Sequence, residues 1–236
     1  MISYEKSKKI LKKAIIKIKN ESVISINSLN RVTSSNIYSS INYPVDDNAA
    51  FDGFAINSSD TKKINKNSSK IFKIIGSIAA GAKPFKKVKK KFDTVEIMTG
   101  GILPKGFDTI IPIEQIKFYP SKIKQNSIII DKKISKHNHV RFKGSDYKKN
   151  ELVIKKSIII QPNHILALKT LGIKNIKVKK KLNVLFFSTG NEISNKDIIS
   201  DWQVRNSNAY YIKSLNKNFL FNFIDGGILR DNDENV

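Results

Sequence analysis

Between residues 55 and 140 the sequence consists of short runs of β-branched and aromatic residues separated by glycine and proline turns. The runs with the strongest strand character are Ile71–Ile75, Thr94–Met98, Thr109–Ile113 and Ser127–Asp131. The turns between them include Gly81–Pro84, Gly100–Gly101 and Pro104–Gly106. Short strands joined by close turns favour a compact sheet. We therefore predict a β-rich, barrel-like domain in this part of the chain.

The sequence on either side of this stretch predicts helices mixed with strands. Ser3–Lys19 predicts an amphipathic helix packed on an apolar stripe made of Ile10, Leu11, Ala14, Ile15 and Ile18. Strands are expected at Ser22–Ile26, Glu151–Ile154 and Ile176–Val178. Gln161–Asn163 should cap a helix over Ile165–Leu171, which ends at Gly172.

The pattern changes at Leu182, where a strand-helix-strand unit is predicted. Val184–Phe187 is fully apolar, which is typical of a buried strand in a parallel sheet. A helix is expected over Ser207–Lys217, with Ala209, Tyr210, Ile212 and Leu215 on its apolar side, and a second strand over Phe219–Phe223. This order opens a doubly wound α/β fold. Two strands do not complete such a sheet, so we expect a domain truncated at its C-terminus.

Composition excludes several classes of protein. The chain of 236 residues has no cysteine, which excludes disulfides, thiolate metal sites and a cysteine nucleophile, and is compatible with the cytoplasmic location that we expect. No apolar run approaches the ~18 residues that would cross a membrane. Lysines interrupt each N-terminal apolar run, so no signal peptide is predicted.

The net charge of +23 makes nucleic-acid binding an alternative to consider. Almost all of the positive charge is lysine, and the only arginines are Arg31, Arg141, Arg205 and Arg230. Side chains that read bases or grip phosphates in a bidentate way are preferentially arginine. A solvated, lysine-rich surface is therefore the preferred interpretation.

Carboxylates are rare in this chain, and three of them lie within Pro44–Ile56, at Asp46, Asp47 and Asp52. Asp52 and Gly53, between Phe51 and Phe54, predict a turn whose neighbours are buried while the carboxylate stays accessible. This stretch alone leaves two interpretations open, a turn that joins two strands and a ligand-binding loop.

Two further stretches of the β-rich region and its border carry polar groups suited to anions. Thr99 and Gly100 follow a predicted strand in Glu-Ile-Met-Thr-Gly-Gly, where a hydroxyl and glycine N–H groups can hold an anionic oxygen. Arg141, Lys143 and Asp146 lie in Arg-Phe-Lys-Gly-Ser-Asp, where the cations suit an anion and the carboxylate suits a metal or water. The alternatives are a β-turn and a solvated surface turn.

The predicted α/β unit ends its strands in polar residues, at the edge where open α/β sheets bind ligands. Ser188, Thr189 and Gly190 suit phosphate oxygens, and Glu192 offers the hard oxygen that Mg²⁺ prefers. Three further polar residues of this unit are an expected helix N-cap, its neighbour and a strand-end carboxylate, namely Ser207, Asn208 and Asp231.

In this order, the motifs resemble the molybdopterin molybdenumtransferase family, which includes the E-domain of gephyrin. The family carries Asp-Asn-Ser-Ala-Met-Asp-Gly-Tyr-Ala, Ile-Met-Thr-Gly-Ala, Arg-Arg-x-Gly-Glu-Asp, Phe-Ser-Thr-Gly-Asp-Glu and Gly-Ile-Ile-Arg-Asp. The first motif corresponds to residues 47–55 here. Among the departures from the family are Ala49, Phe51, Phe54, Phe142 and Asn191; of these, Ala49 and Phe54 each lose a hydroxyl, Phe142 loses a basic group and Asn191 loses an acid.

The resemblance implies a multi-domain α+β and α/β architecture. Residues 1–45 and 141–178 would form a discontinuous helical and strand domain, residues 46–140 an inserted β-rich, barrel-like domain, and residues 179–236 the start of a molybdopterin-binding α/β domain. It also implies a homodimer whose sites combine both subunits, with a molybdopterin adenylyltransferase as a further expected partner.

The same resemblance implies Mg²⁺-dependent insertion of molybdate into adenylylated molybdopterin with release of AMP. The implied catalytic carboxylates are Asp52, Asp146, Glu192 and Asp231, of which Glu192 and Asp231 would hold the metal. The implied substrate-binding residues are Thr99, Gly100, Arg141, Lys143, Ser188, Thr189, Gly190, Ser207 and Asn208. Convergence of the four carboxylates is implied by the family, not by their spacing.

Two alternatives to a working enzyme stay open at this point. The chain is expected to be weakly active or inactive by itself, and a noncatalytic molybdopterin-binding or scaffold module is the second interpretation. The three histidines match none of the motifs, and the pair His137 and His139 is expected to be solvated rather than metal-bound.

Overall fold

A computed structural model describes residues 2–14, 17–65, 67–83, 85–121, 125–215 and 221–231. The chain divides into two compact units, which we call the central unit (residues 39–151) and the terminal unit (residues 1–38 with 152–236). Both units are assembled from non-local pairings of short elements. The three-domain division expected from the resemblance stays a prediction.

Helices are few and strands are short. The α-helices are α1 (Tyr4–Lys13), α2 (Pro162–Thr170) and α3 (Ser207–Ser214). The strands are β1 (Asn20–Ile24), β2 (Ile37–Tyr38), β3 (Asn48–Ala49), β4 (Gly53–Ile56), β5 (Lys70–Ile78), β6 (Asp93–Ile97), β7 (Thr109–Pro112), β8 (Lys117–Pro120), β9 (Gln125–Ile130), β10 (Val140–Arg141), β11 (Leu152–Ile154), β12 (Asn175–Lys179), β13 (Leu182–Thr189), β14 (Ile193–Ser194), β15 (Val204–Arg205) and β16 (Phe221–Leu229). Part of the predicted turn at Gly81–Pro84, part of the second α/β strand, Ile15 of the first predicted helix and the end of the predicted helix Ser207–Lys217 lie outside the described residues.

The central unit is built on a mixed six-stranded sheet in the order β7-β4-β6-β5-β9-β8. Strands β5 and β6 pair in parallel, and the other neighbours pair antiparallel. Each of the four strong β-rich runs forms a strand, so the β-rich character of this region is confirmed. A separate antiparallel pair, β3 with β10, aligns Ala49 with Val140 and Asn48 with Arg141.

Both faces of this sheet are covered, because successive side chains of a strand point to opposite faces. Phe54 and Ile56 pack with Phe72 in one cluster, whereas Ala55 packs with Val95 in another. All four residues of β4 are therefore buried. This double burial fixes the position of Gly53, where an added Cβ would lie 2.1 Å from the carbonyl oxygen of Ile111.

The terminal unit has a smaller core on which α2 packs. Strand β1 pairs with β12 and β2 with β11, both antiparallel. Buried residues from these elements form one cluster consisting of Ile37, Ile154, Ile160, Leu168, Ile176 and Val178. Helix α2 begins at Pro162, three residues before the predicted start, and the backbone N–H of Gln161 donates to His164 Nδ1 at 3.0 Å. His164 is thus a helix-capping residue.

The N-terminal helix differs from the prediction in its packing. Helix α1 forms within the predicted range, and Ser3 accepts from the Lys6 backbone N–H at its N-terminus. None of its residues is buried, and Ile10 and Leu11 are 54% and 71% exposed. The expectation that its apolar stripe packs inside was wrong, because amphipathic spacing predicts a helix but not the surface that covers it.

The strand-helix-strand unit of the terminal unit is confirmed. Strands β13 and β16 pair in parallel, with α3 between them in sequence. The expected full burial of the first strand was wrong, since Leu185 is 54% exposed. Among the described residues, β13 pairs with β16 alone. In α3, Ala209 is buried but Tyr210 is exposed, contrary to the predicted apolar side.

No helix in the described part of the chain combines the length and apolar character that crossing a membrane requires.

The two-faced burial of the central sheet gives a first prediction. Phe72 is fully buried on β5, whereas its neighbour Ile71 is 46% exposed. Replacing Phe72 by alanine should lower the free energy of unfolding by about 3–5 kcal/mol, because it opens a cavity in the core. The matched control, Ile71→Ala, should lower it by less than about 1 kcal/mol. Urea unfolding followed by circular dichroism measures both, and equal losses would contradict this account of the core.

Candidate functional site

Asp52 is held in place by Thr99, from a different motif. Its Oδ1 atom accepts from the Thr99 hydroxyl and from the Thr99 backbone N–H, each at 2.6 Å. Hydrogen bonds to the charged form favour that form. The hydrogen bond from the Thr99 hydroxyl and, to a smaller extent, the one from its backbone N–H therefore lower the pKa of the exposed Asp52 carboxyl. The predicted turn exists, but Phe51 is 52% exposed rather than buried.

The backbone of β3 joins three motifs that are far apart in the sequence. The Ala49 N–H donates to the Gly101 carbonyl at 2.9 Å, and the Gly100 N–H donates to the Ala49 carbonyl at 2.8 Å. The Ala50 N–H donates to the His139 carbonyl at 3.0 Å. Asp52, Thr99 and the Arg141 segment are consequently brought together in the central unit.

The cations of the Arg141 segment are paired with aspartates. The Arg141 guanidinium forms an ion pair with Asp146 and lies over the Tyr43 ring, 5.7 Å from its centroid. Both partners of this ion pair are exposed. The Asp146 backbone N–H donates to the Tyr43 carbonyl at 3.0 Å, which ties this segment to the Pro44 stretch.

Lys143 contacts the two aspartates that begin the acidic stretch. Its backbone N–H donates to Asp47 Oδ1 at 2.8 Å, and its ammonium lies 3.5 Å from Asp46 Oδ1. Asp47 was not among the predicted site residues, yet it orients the Lys143 backbone. Its place in the acidic cluster was the available sequence signal.

The two histidines of the His-x-His pair pack against aromatic rings from the motifs. The His139 ring meets Phe51 edge-on with 5.0 Å between ring centroids, and His137 meets Phe142 in the same way at 5.0 Å. His137 is exposed and His139 is half-buried, so only His137 is exposed to solvent as expected.

One buried polar atom lies in the acidic stretch itself. Asn48 Oδ1 is buried without a hydrogen-bond partner among the described residues.

In the terminal unit, buried polar groups hold the loop that follows β13. The Ser188 hydroxyl donates to Asn206 Oδ1 at 2.7 Å, and Asn206 Nδ2 donates to Asn195 Oδ1 at 3.0 Å. Ser188 and Asn206 are both buried. Ser188 therefore positions this loop with its hydroxyl already engaged, while its neighbour Thr189 is exposed.

Arg230, the residue after β16, holds the same loop in place through hydrogen bonds. Its Nη1 atom lies within 3.1 Å of the carbonyl oxygens of Gly190, Asn191 and Ile193. The Asp231 backbone N–H donates to Asn191 Oδ1 at 3.2 Å. Arg230 was not predicted as a site residue, although its position beside Asp231 at a strand end was a usable signal.

Gly190 leaves room for the carboxylate of Glu192. Its φ of 137° is one that side chains rarely adopt, and an added Cβ would lie 2.6 Å from Glu192 Oε2. Glu192 and Asp231 are both exposed. The hydrogen bonds of Asn191 and Arg230 thus bring the loop of Glu192 and the end of β16 together.

The start of α3 differs by one residue from the prediction. Asn206, and not Ser207, is the N-cap residue, and Ser207 is the first residue of the helix. The Asn206 amide is bonded to Ser188 and Asn195 and gives no cap hydrogen bond. Ser207 and Asn208 are exposed beside the Ser188 loop.

The carboxylates at Glu192 and Asp231 are the groups near this loop that could contact a metal ion. Among the described residues, no three His, Asp or Glu side chains form a group that could hold a metal. Mg²⁺ commonly takes one or two carboxylates and keeps waters or phosphate oxygens as its other ligands. Glu192 and Asp231 provide carboxylates of this kind.

The Asp52 contacts predict a measurable titration effect. Replacing Thr99 by valine removes the hydroxyl donor, so the pKa of Asp52 should rise toward the ordinary aspartate value of about 3.9. NMR titration of the Asp52 carboxyl measures this change. The control Thr99→Ser keeps a hydroxyl and should keep the lowered pKa.

The lowered pKa also fixes the sign of a stability effect. A depressed carboxyl pKa stabilises the fold above the unfolded value of about pH 3.9, and this contribution is lost as the pH falls through the lower folded value. As the pH falls below about 4, the Thr99→Val variant should therefore lose less free energy of unfolding than the unchanged protein does. An unchanged acid profile would contradict the role of Thr99.

The buried Ser188–Asn206 pair gives a stability prediction for the terminal unit. Asn206→Ala leaves the Ser188 hydroxyl without its acceptor and should lower the free energy of unfolding by about 1–3 kcal/mol. Asn208→Ala, at an exposed position two residues away, should change it by less than about 0.5 kcal/mol. Fluorescence of Trp202, the single tryptophan, reports the transition. Equal effects would argue against a buried pair.

Comparison with known proteins identifies the family. The family model described as MoeA N-terminal region (domain I and II) matches residues 2–172. Molybdopterin molybdenumtransferase of Staphylococcus aureus (strain Mu50) is 33% identical over 189 residues, which cover 80% of this chain and 44% of that protein. The Staphylococcus epidermidis enzyme (strain RP62A) is 28% identical over 220 residues, covering 92% and 51%.

Solved structures agree with this assignment. The molybdopterin biosynthesis moeA protein of Pyrococcus horikoshii superposes with a TM-score of 0.85 at 29% identity, covering 99% of this chain and 58% of that chain. The chain spans about half the length of the curated relatives that it matches. Since the family model covers well over half of the residues, the chain belongs to the MoeA family.

Proposed function

We propose that this chain serves molybdenum cofactor biosynthesis by inserting molybdate into adenylylated molybdopterin, with release of AMP. The observation that carries the proposal is the assembly of three family motifs around Asp52, through the backbone of β3 and the two hydrogen bonds from Thr99. The curated relatives are named molybdopterin molybdenumtransferase, which supports the same reaction.

Asp52 acts as an anion in this proposal. Thr99 satisfies one carboxylate oxygen and lowers the pKa of the group. No hydrogen bond to the other oxygen, Oδ2, is found among the described residues, so this oxygen is available to orient a water or the molybdate substrate. Gly100 follows Thr99 with an open backbone at φ 79°, which suits close approach of a substrate oxygen.

Arg141 and Lys143 bind the anionic substrate when its phosphate replaces their aspartate partners. Each is paired with an exposed aspartate, Asp146 and Asp46 respectively. Exposed ion pairs contribute only about 0–1 kcal/mol, so a multiply charged phosphate can replace them at small cost. Asp146, released from Arg141, is then free to bind water or metal.

The Ser188 loop binds phosphate oxygens in this scheme. The exposed Thr189 is the contacting group, while Ser188 positions the loop through Asn206 and the Gly190 N–H is already engaged with the Leu229 carbonyl at 3.1 Å. Glu192 and Asp231 would hold Mg²⁺, which neutralises phosphate charge and polarises the bond that releases AMP. Ser207 and Asn208 lie at the start of α3, where helix N–H groups favour an anion.

The whole-chain charge supports the choice of substrates. A net charge of +23 raises the rate at which molybdate and a phosphorylated pterin meet the protein. We further propose a cytoplasmic homodimer that receives its substrate from a molybdopterin adenylyltransferase, with each site built from both subunits. The 236-residue chain alone is expected to turn over weakly or not at all.

A hybrid enzyme tests this function. In the hybrid, this chain replaces the matching N-terminal part of the Staphylococcus aureus relative and is joined to the remainder of that protein. Molybdate-dependent release of AMP from adenylylated molybdopterin is then measured. The hybrid should release AMP, and Asp52→Asn should lower the rate about 100-fold or more, since a carboxylate that orients the reacting water is lost. Lys62→Gln, at an exposed position outside the site, serves as the control and should leave the rate unchanged.

Two results would contradict the proposal. A folded hybrid that binds adenylylated molybdopterin without releasing AMP would favour the noncatalytic binding or scaffold interpretation. Equal rates of AMP release in Asp52→Asn and in the Lys62→Gln control would show that Asp52 takes no part in the reaction.

A further inference from the structure

Helix α1 presents both an apolar side and a cationic side to solvent. None of its residues is buried. We propose that α1 binds the surface of a bilayer that contains anionic lipids and lies with its axis parallel to that surface. Helices that bind in this way carry apolar residues along one side and lysines along the other. The binding requires neither molybdate nor adenylylated molybdopterin.

The apolar side of α1 is formed by Tyr4, Ile10 and Leu11. Since successive residues of an α-helix are about 100° apart, these three positions fall within an arc of about 120°. Tyr4 is 75% exposed, and Ile10 and Leu11 are both exposed by more than half. Ile2, close to the start of the helix, is also exposed. Covering these side chains with an apolar layer would remove their surface from water.

The opposite side of α1 is cationic. Its lysines occupy an arc of about 160° that does not overlap the apolar side. They are Lys6, Lys8, Lys9, Lys12 and Lys13, and all of them are exposed. No salt bridge to any of them is found among the described residues. These ammonium groups are therefore available to anionic headgroups, which attract lysines close to a membrane surface.

Tyr4 lies at the border between the two sides. The Lys8 ammonium is 5.5 Å from the centroid of the Tyr4 ring. Tyrosine combines an apolar ring with a polar hydroxyl and is enriched where a membrane meets water. A lysine can bury its apolar stem while its charged end stays in water. Together, these two side chains suit the boundary between acyl chains and headgroups.

A bilayer surface matches both sides of α1 at once. Its acyl layer can take up the apolar side while its headgroups contact the flanking lysines. A nucleic acid would neutralise the lysines through its phosphates but would leave Leu11 in water. Lys17, Ile18 and Lys19, just beyond the helix, are exposed as well and extend the same composition. The combination of charge and apolar surface therefore favours an anionic bilayer.

Sedimentation of the full 236-residue chain with lipid vesicles tests the apolar contact. Vesicles of phosphatidylglycerol and phosphatidylcholine in equal parts should bind at least about tenfold more tightly than vesicles of phosphatidylcholine alone, because anionic headgroups attract the lysines. Leu11→Ser should weaken binding to the mixed vesicles about tenfold, since one leucine no longer enters the acyl layer. The control Val88→Ser changes another exposed apolar residue, which lies in a lysine-rich stretch outside any helix, and should leave binding unchanged.

A second pair of variants tests the charged contact in the same assay. Lys12→Gln with Lys13→Gln should weaken binding to the mixed vesicles at least about tenfold, because two lysines that face the headgroups are lost. Lys62→Gln with Lys63→Gln removes the same charge at exposed positions of the central unit and should change binding much less.

Three kinds of outcome would overturn the proposal. Equal losses in Leu11→Ser and Val88→Ser, or in the two double variants, would show that the chain binds through its general positive charge. Equal binding to the two kinds of vesicle would show that anionic lipids are not recognised. If Leu11→Ser bound vesicles normally but sedimented as a smaller species in analytical ultracentrifugation, a second copy of the chain would be the partner that covers α1.

Discussion

The central-unit site depends on the backbone pairing of one short strand. Ala49, which is 2% exposed, exchanges hydrogen bonds with the Gly100–Gly101 turn, while Ala50 bonds to His139. These contacts use backbone atoms, so they tolerate changes in side chain. This explains how the chain keeps the arrangement although Ala49, Phe51 and Phe54 depart from the family motif. Phe54 is buried edge-on to Phe118 at 5.8 Å, where a lost hydroxyl leaves packing intact.

Charge is organised differently at the site and on the surface. The surface is rich in lysine, whereas the site combines a strongly ionised aspartate with cations that are already paired. Pairing keeps Arg141 and Lys143 oriented while leaving them exchangeable by a ligand of higher charge. In the terminal unit the ordering contacts have neutral acceptors, since the Arg230 guanidinium donates to the carbonyls of Gly190 and Asn191 and the Asn206 amide oxygen accepts from the Ser188 hydroxyl.

The sequence predicted elements and motifs more reliably than their environments. Periodicity located α1 and β13, but it could not predict that Ile10 and Leu185 remain exposed, because burial depends on what packs against an element. Motif resemblance selected Asp52, Thr99 and Arg141 as site residues but divided them between two domains, whereas all three lie in the central unit. It did not identify residues that position the site through hydrogen bonds to other segments, and these include Arg230, Asn206 and Asp47. Their roles depend on contacts between segments 18 to 96 residues apart.

Amide chemical-shift mapping by NMR during titration with adenylylated molybdopterin shows whether the assembled motifs form the binding surface. We expect the perturbed amides to cluster in two sets, residues 46–53, 98–101 and 139–146 in the central unit, and residues 188–192, 206–208 and 229–231 in the terminal unit. Perturbations spread over exposed lysines such as those of α1, with these segments unchanged, would contradict it.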